Sequence, residues 1–218
     1  MEEDSIHQVL ALVAEDCRQW QLPSVSVIAE EYRSPFHVLV SCIISLRTKD
    51  SVTAAASARL FQRAATVEAM AALDSEEIAS LIYPAGFYRN KAVQLQAICN
   101  RLLIEYHCQV PDDLETLLTF KGVGRKTANL VLTLGHGKPG ICVDIHVHRI
   151  TNRWGYVSCA TPDQTELALR AKLPPRYWMT INDLLVSYGQ HRCFPVKPAC
   201  SCCRLTAWCS KVGVARHS

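Results

Sequence analysis

The 218-residue sequence predicts an all-α fold, on three observations. Apolar residues recur at three- and four-residue spacing along nearly the whole chain. Strand-like patterns are missing apart from short apolar runs such as residues 141–143. Capping residues and prolines fall where helices would begin. The chain is 49% hydrophobic and 20% charged, enough to bury a core and unlike a disordered tail. It shows no internal repeat, low-complexity segment or long linker, and its length fits one large domain or two small ones.

The elements follow in order. Ile6, Val9, Leu10 and Val13 share one face of a first helix. Ser34-Pro35 places a cap and a first-turn proline before a helix through Val38, Leu39, Ile43 and Ile44. Asp50 or Ser51 can cap an Ala-rich helix to about residue 62, and a short helix follows at 67–73. Ser75, with Glu76 and Glu77, opens the next. Residues 91–106 carry Leu95, Ile98, Leu102 and Leu103 at helical spacing, and Asp112-Asp113 opens a short helix ending near Phe120. Further helices are predicted at 126–134, 144–154, 163–172 and 178–188.

The net charge of +3 says little, but its distribution says more. Residues 1–109 carry nine Lys and Arg against thirteen Asp and Glu, a net of −4. Residues 110–218 carry fourteen against seven, a net of +7. A basic half suggests a polyanionic partner, although an uneven solvated surface gives the same totals. The acidic start Met1-Glu-Glu-Asp4 lacks an apolar run, and no apolar stretch is long enough to span a bilayer. These features predict a soluble intracellular protein, with no membrane partner, whose eleven cysteines stay reduced. Clustered cysteines then read as metal ligands and scattered ones as small buried hydrophobes.

Three segments carry candidate chemistry. Leu117 to Leu132 reads as helix, tight turn, helix, with Gly122 and Gly124 flanking Val123. Such a turn presents backbone N–H groups at a helix start, and those donors can hold a phosphate without reading sequence. Arg125 adds charge beside it. Lys126 stands at the start of the following apolar helix, where the dipole and neighbouring cations disfavour an ammonium. It is a candidate amine nucleophile for Schiff-base chemistry, or else a phosphate-binding lysine. In Val143-Asp-Ile-His-Val-His-Arg149, Asp144 reads as an N-cap. Its carboxylate could also stabilise oxocarbenium character at a sugar, or activate a nucleophile. His146 and His148 face different ways on a helix; one can line the site while the other packs.

The third segment holds Cys193, Cys200, Cys203 and Cys209 within 17 residues. Its spacing, C-x6-C-x2-C-x5-C, fits neither a paired zinc template nor a ferredoxin run, yet its density points to a metal or cluster. Cys202 is a further thiol inside the run. Lys197, with Arg192 and Arg204 nearby, makes the loop basic and suited to phosphate contact.

From about Ser34 to Cys209 the chain resembles the endonuclease III family of helix-hairpin-helix DNA glycosylases. The resemblance rests on Lys121-Gly-Val-Gly-Arg-Lys-Thr-Ala-Asn129, on Val143-Asp-Ile-His146 and on the four-cysteine spacing, in that order. It implies a two-lobed all-α glycosylase fold. A six-helix bundle lobe would span 28–137, with the hairpin at about 113–134. A discontinuous lobe, 1–27 and 138–218, would carry an iron–sulfur loop at 193–209. DNA would lie between the lobes, with Lys126 and Asp144 meeting at the mouth. The family's catalytic lysine and aspartate fall on Lys126 and Asp144, and its [4Fe–4S] ligands on the four cysteines. The implied activity is a bifunctional DNA glycosylase/AP lyase of base excision repair. It would act as a monomer on duplex DNA with oxidised pyrimidines or abasic sites, in a prokaryotic cytoplasm, associated with the nucleoid.

Two positions leave the family pattern. Ser45-Leu-Arg-Thr-Lys-Asp50 has Arg47 where family members carry a glutamine that fills the gap left by the flipped base. Gly86-Phe-Tyr-Arg-Asn-Lys91 has Phe87 where the family carries a leucine wedge. An aromatic ring can also insert between bases, although a core role for Phe87 stays open. A narrower mismatch glycosylase for thymine or uracil opposite guanine is disfavoured by Lys126. A non-enzymatic DNA-binding or redox-sensing module is disfavoured by retention of both Lys126 and Asp144.

Overall fold

A computed structural model describes residues 4–218, and every regular element among them is helical, as predicted. In chain order these are α1 (Ser5–Cys17), α2 (Ser24–Tyr32), α3 (Pro35–Ser45), α4 (Asp50–Arg63), α5 (Val67–Ala71), α6 (Ser75–Ile82), α7 (Tyr88–Glu105), α8 (Leu114–Leu118), α9 (Arg125–Leu130), α10 (Ile145–Arg153), α11 (Pro162–Lys172) and α12 (Ile181–His191). A π-helical turn, Val131–Gly135, prolongs α9, and 3-10 turns cover Pro175–Tyr177 and Cys200–Cys202. The apolar residues at 141–143 are buried but form no strand. No helix among the described residues is long and apolar enough to cross a membrane.

The chain divides into two compact units, Ser24–Gly140 and the two terminal segments up to Pro23 and from Ile141 to Ser218. In the first unit, α3 is the central element: every side chain from Phe36 to Ile44 is buried. A helix apolar on all sides must be enclosed on all sides. The unit packs α2, α4, α7, α9 and the π turn against it. In the second unit, Ile6, Val9, Leu10 and Val13 of α1 join Val147 and Ile150 of α10, Leu169 of α11, and Ile181, Leu185 and Tyr188 of α12 in one core.

Capping departs from the expectation at two helices: Ser34 stands at the N-cap of α3 but its side chain makes no cap hydrogen bond, and the second case is α4. Asp50 does not cap α4. Its carboxylate accepts from the Ser24 amide at 3.0 Å and the Ser24 hydroxyl at 2.7 Å, and so closes the start of α2. Helix α2 itself has no counterpart among the predicted elements. The last predicted helix, 178–188, starts later, at Ile181, because residues 177–180 form a turn.

His37 is a polar residue inside the first core. Neither ring nitrogen has a hydrogen-bond partner, and the ring stacks on Tyr32 at 4.2 Å and lies 4.4 Å from Phe61. Burial holds its pKa below the usual histidine value. The unfolded chain therefore takes up the proton first. Stability is fully present above about pH 6.5 and falls on acidification through the folded-state value. His37→Phe is expected to raise stability by about 1 kcal/mol at neutral pH and more in acid. Urea midpoints at the two pH values check this, and an unchanged acid dependence would assign the loss to other groups.

Candidate functional site

The hairpin is assembled as the sequence suggests. Asp113 caps α8 by accepting from the Thr116 amide at 2.8 Å. In the turn, the Val123 amide donates to Phe120 O at 3.0 Å, and the Val123 side chain is buried. Gly122 has φ +82°, and a Cβ there would run into the Gln94 amide of α7, so this position requires glycine twice over. Gly124 is the N-cap of α9 and faces open space. The first-turn N–H groups behind it have no intrahelical acceptors, so the turn presents backbone donors of the kind that suit an anion.

Lys121 is exposed, while Arg125 and Lys126 are half-buried in the first turn of α9. Among the described residues, no carboxylate or carbonyl bonds to the Lys126 amine. It lies close enough to Cys42 of α3 to oppose the rise that burial imposes on that thiol, which stands at about 12. The π turn after α9 is a rare element that often accompanies functional sites. It brings Gly135 onto α3, where a Cβ would come within 2.8 Å of Pro35 Cα.

In the other unit, Asp144 is the N-cap of α10. Its Oδ1 accepts from the amides of His146 at 2.8 Å and Val147 at 2.9 Å. Both bonds fall on one oxygen of a buried carboxylate, which leaves Oδ2 to accept from something else. His148 packs structurally, with Nδ1 2.7 Å from the Thr165 hydroxyl. His146 turns the other way, with Nδ1 3.1 Å from Arg149 Nη2. That arginine also donates to Cys193 O at 2.9 Å, and so ties the Asp144 helix to the cysteine loop.

The four spaced cysteines line one cavity, together with Arg153, Trp154, Tyr188, Arg192, Pro198 and Lys211. Cys202 is not part of that lining. It is exposed, and its sulfur meets Arg192 Nη1 at 2.9 Å. Arg153 anchors Cys193 and the residues after it, donating to Cys193 Sγ at 3.4 Å, Phe194 O at 2.7 Å and Pro195 O at 2.6 Å. Tyr188 OH lies 3.2 Å from Cys203 Sγ. Burial and the neighbouring sulfurs raise the Cys200 and Cys209 thiols. Four thiols around one cavity are a donor set that could hold an iron–sulfur cluster, one thiolate to each iron. Lys197 is exposed on this loop, whereas Arg204 is engaged by Glu15 at 2.9 Å and Asp16 at 3.2 Å.

Arg47 and Phe87 sit together. The Arg47 guanidinium carbon lies 5.6 Å from the centre of the Phe87 ring. Phe87 is not core: it is 60% exposed and caps α7 in a left-handed conformation, φ 57°. Arg47 is exposed too, with φ 52°. Left-handed backbone at a bulky residue is costly and marks a site held by its surroundings. The residue beneath them, Lys91, has no part in the expectations drawn from the sequence. It is 4% exposed, and its ammonium donates to Ile44 O at 2.7 Å, Leu46 O at 2.5 Å and the Thr48 hydroxyl at 2.8 Å. Burial pushes it down to about 8. A lysine at i+4 from an exposed aromatic carries no sequence signal of such a role.

Residues 40–175 match the family described as HhH-GPD superfamily base excision DNA repair protein. Endonuclease III of Thermotoga maritima is 45% identical over 175 residues, covering 80% of this chain and 82% of the relative. A chloroplastic endonuclease III homolog of Arabidopsis thaliana is 43% identical over 80% of the chain, which spans 47% of that longer protein. A solved endonuclease III, trapped as a covalent intermediate with DNA, superposes with a TM-score of 0.86 at 29% identity, covering 97% of both chains.

Proposed function

The chain belongs to the HhH-GPD superfamily of base excision DNA repair proteins, and within it to the endonuclease III family; from this we propose that it is a bifunctional DNA glycosylase/AP lyase. Its substrates are oxidised pyrimidines and abasic sites in duplex DNA, and it acts as a monomer. The observation that carries the reading is Lys126: a half-buried amine without a carboxylate partner, one residue behind the hairpin's anion site. A phosphate held by residues 122–125 would set the sugar of a flipped nucleotide against that amine. The covalent intermediate with DNA trapped for a solved relative supports a nucleophile on the protein.

The Lys126 nitrogen bonds to C1′ as the glycosidic bond breaks, and the base leaves with the bonding pair and takes up a proton. Loss of a proton from nitrogen and opening of the sugar ring give the Schiff base. It acidifies C2′, whose proton is removed as the C3′–O bond breaks, cutting the strand 3′ to the lesion. The Asp144 carboxylate, held by two amides through Oδ1, stabilises positive charge developing on the sugar or takes the amine proton. Arg47 and Phe87 fill the space vacated by the flipped base, and Lys197 and His146 add contacts to DNA. We assign Cys193, Cys200, Cys203 and Cys209 to a [4Fe–4S] cluster, which would shape the basic loop around Lys197.

Asp144→Asn tests the division of labour. Asparagine caps a helix as well as aspartate does, so the melting temperature should hold. Base excision is expected to fall roughly 10³-fold, while borohydride trapping on a preformed abasic site persists, because no base has to leave. Equal loss of both would instead leave removal of the Lys126 amine proton, needed on either substrate, as the role of Asp144.

A further inference from the structure

Two loops that are 40 residues apart in sequence present Arg47 and Phe87 as one object, and a single buried cation joins them. We propose that Lys91 is a positioning residue for recognition of the base opposite the lesion, locking guanidinium and ring into one composite wedge. This rests on the reading of the chain as a glycosylase acting on duplex DNA.

The join is built from complementary parts. Ile44 O and Leu46 O belong to the C-terminal end of α3, where carbonyls lack intrahelical donors and the dipole is negative. The Lys91 ammonium supplies two donors there. Its third goes to the Thr48 hydroxyl, which also accepts from the Gly86 amide at 3.0 Å. Thr48 thus follows Arg47 directly while binding the residue before Phe87. The two loops also touch through backbone: a Cβ on Gly86 would collide with the Arg47 carbonyl. Phe87 O accepts from the Lys91 amide at 3.1 Å, so ring and clamp stand on the same first turn of α7. A neutral side chain could not donate to all three acceptors, and a buried charge is otherwise unfavourable.

The wedge has a defined chemistry. Its ring can stack on a neighbouring base, while the guanidinium offers only donors to the base left without a partner. Guanine presents the O6 acceptor; adenine presents an amino donor at the equivalent place. The wedge should therefore favour guanine over adenine opposite the lesion.

The test is single-turnover excision of thymine glycol opposite guanine and opposite adenine. It compares the unmodified protein, Lys91→Met, Phe87→Ala and the double variant. Unmodified protein is expected to favour guanine by about tenfold, the size of one lost stacking contact or hydrogen bond. Each single variant should bring that ratio close to one, and the double variant should change it no further. If Lys91→Met melts too early to assay, Thr48→Val carries the test, since it removes only the shared hydroxyl. A preference that survives Lys91→Met or Thr48→Val, effects that add in the double variant, or no guanine preference at all, overturns the inference. Absence of excision and of borohydride trapping by the unmodified protein would instead overturn the glycosylase reading beneath it.

Discussion

Lys126→Ala is expected to abolish borohydride trapping of the protein on DNA carrying thymine glycol or an abasic site. Strand cleavage should fall on the order of 10⁵-fold, the scale of losing a covalent nucleophile. The alanine variant alone cannot separate nucleophile from phosphate anchor, since both roles end with the side chain. Lys126→Arg separates them. Arginine keeps the positive charge beside the hairpin but is not a nucleophile at any accessible pH. An anchoring lysine would be rescued by arginine, with DNA affinity and trapping both restored. A nucleophilic lysine would not: binding should stay within severalfold of the unmodified protein while trapping remains absent. Lys126 is half-buried in the first turn of a short helix whose buried residues are Thr127, Ala128, Asn129 and Leu130, so neither substitution removes a fully buried side chain. Trapping that survives in the arginine variant would move the nucleophile elsewhere and would falsify the central assignment.

What the sequence reveals about this molecule follows from how locally each feature is encoded. The hairpin is legible because its geometry is enforced by contiguous residues: Gly122 for positive φ, buried Val123, and Gly124 at the cap. The Asp144 cap is legible for the same reason, as its partners are two and three residues on. Helix α2 is not, because the carboxylate that closes its start belongs to Asp50, 26 residues away and itself the first residue of α4. Lys91 is hidden more thoroughly. Its three acceptors come from the end of α3 and the loop beyond it, more than 40 residues upstream, and two of them are backbone carbonyls that any residue supplies. Arg47 and Phe87 stand out singly as departures from a pattern. That they form one stacked pair depends on tertiary structure alone.

Cys203→Ala should yield a colourless protein with little iron, whereas Cys202→Ala should keep the visible iron–sulfur absorbance and about four irons per chain. The two thiols are adjacent in sequence, and spacing alone separates them weakly. Their places in the structure differ. Cys203 lines it beside Cys193, Cys200 and Cys209 and meets the Tyr188 hydroxyl, while Cys202 points out toward Arg192. The loss should reach beyond colour. Cys193, Cys203 and Cys209 pack against the core formed by α1, α10, α11 and α12, and a group bound only by the folded state stabilises that state. The Cys203 variant should therefore melt earlier, and the terminal unit around α10 and α12 should lose hydrogen-exchange protection first. Arg149 and Arg153 carry the disturbance onward, because both leave α10 to bond Cys193 or the carbonyls beside it. Since α10 is the helix that Asp144 caps, base excision should decline with iron content across partially loaded preparations. Iron retained in the Cys203 variant, or lost in the Cys202 variant, would exchange the roles of the two thiols, and zinc in place of iron would replace the cluster with another metal site.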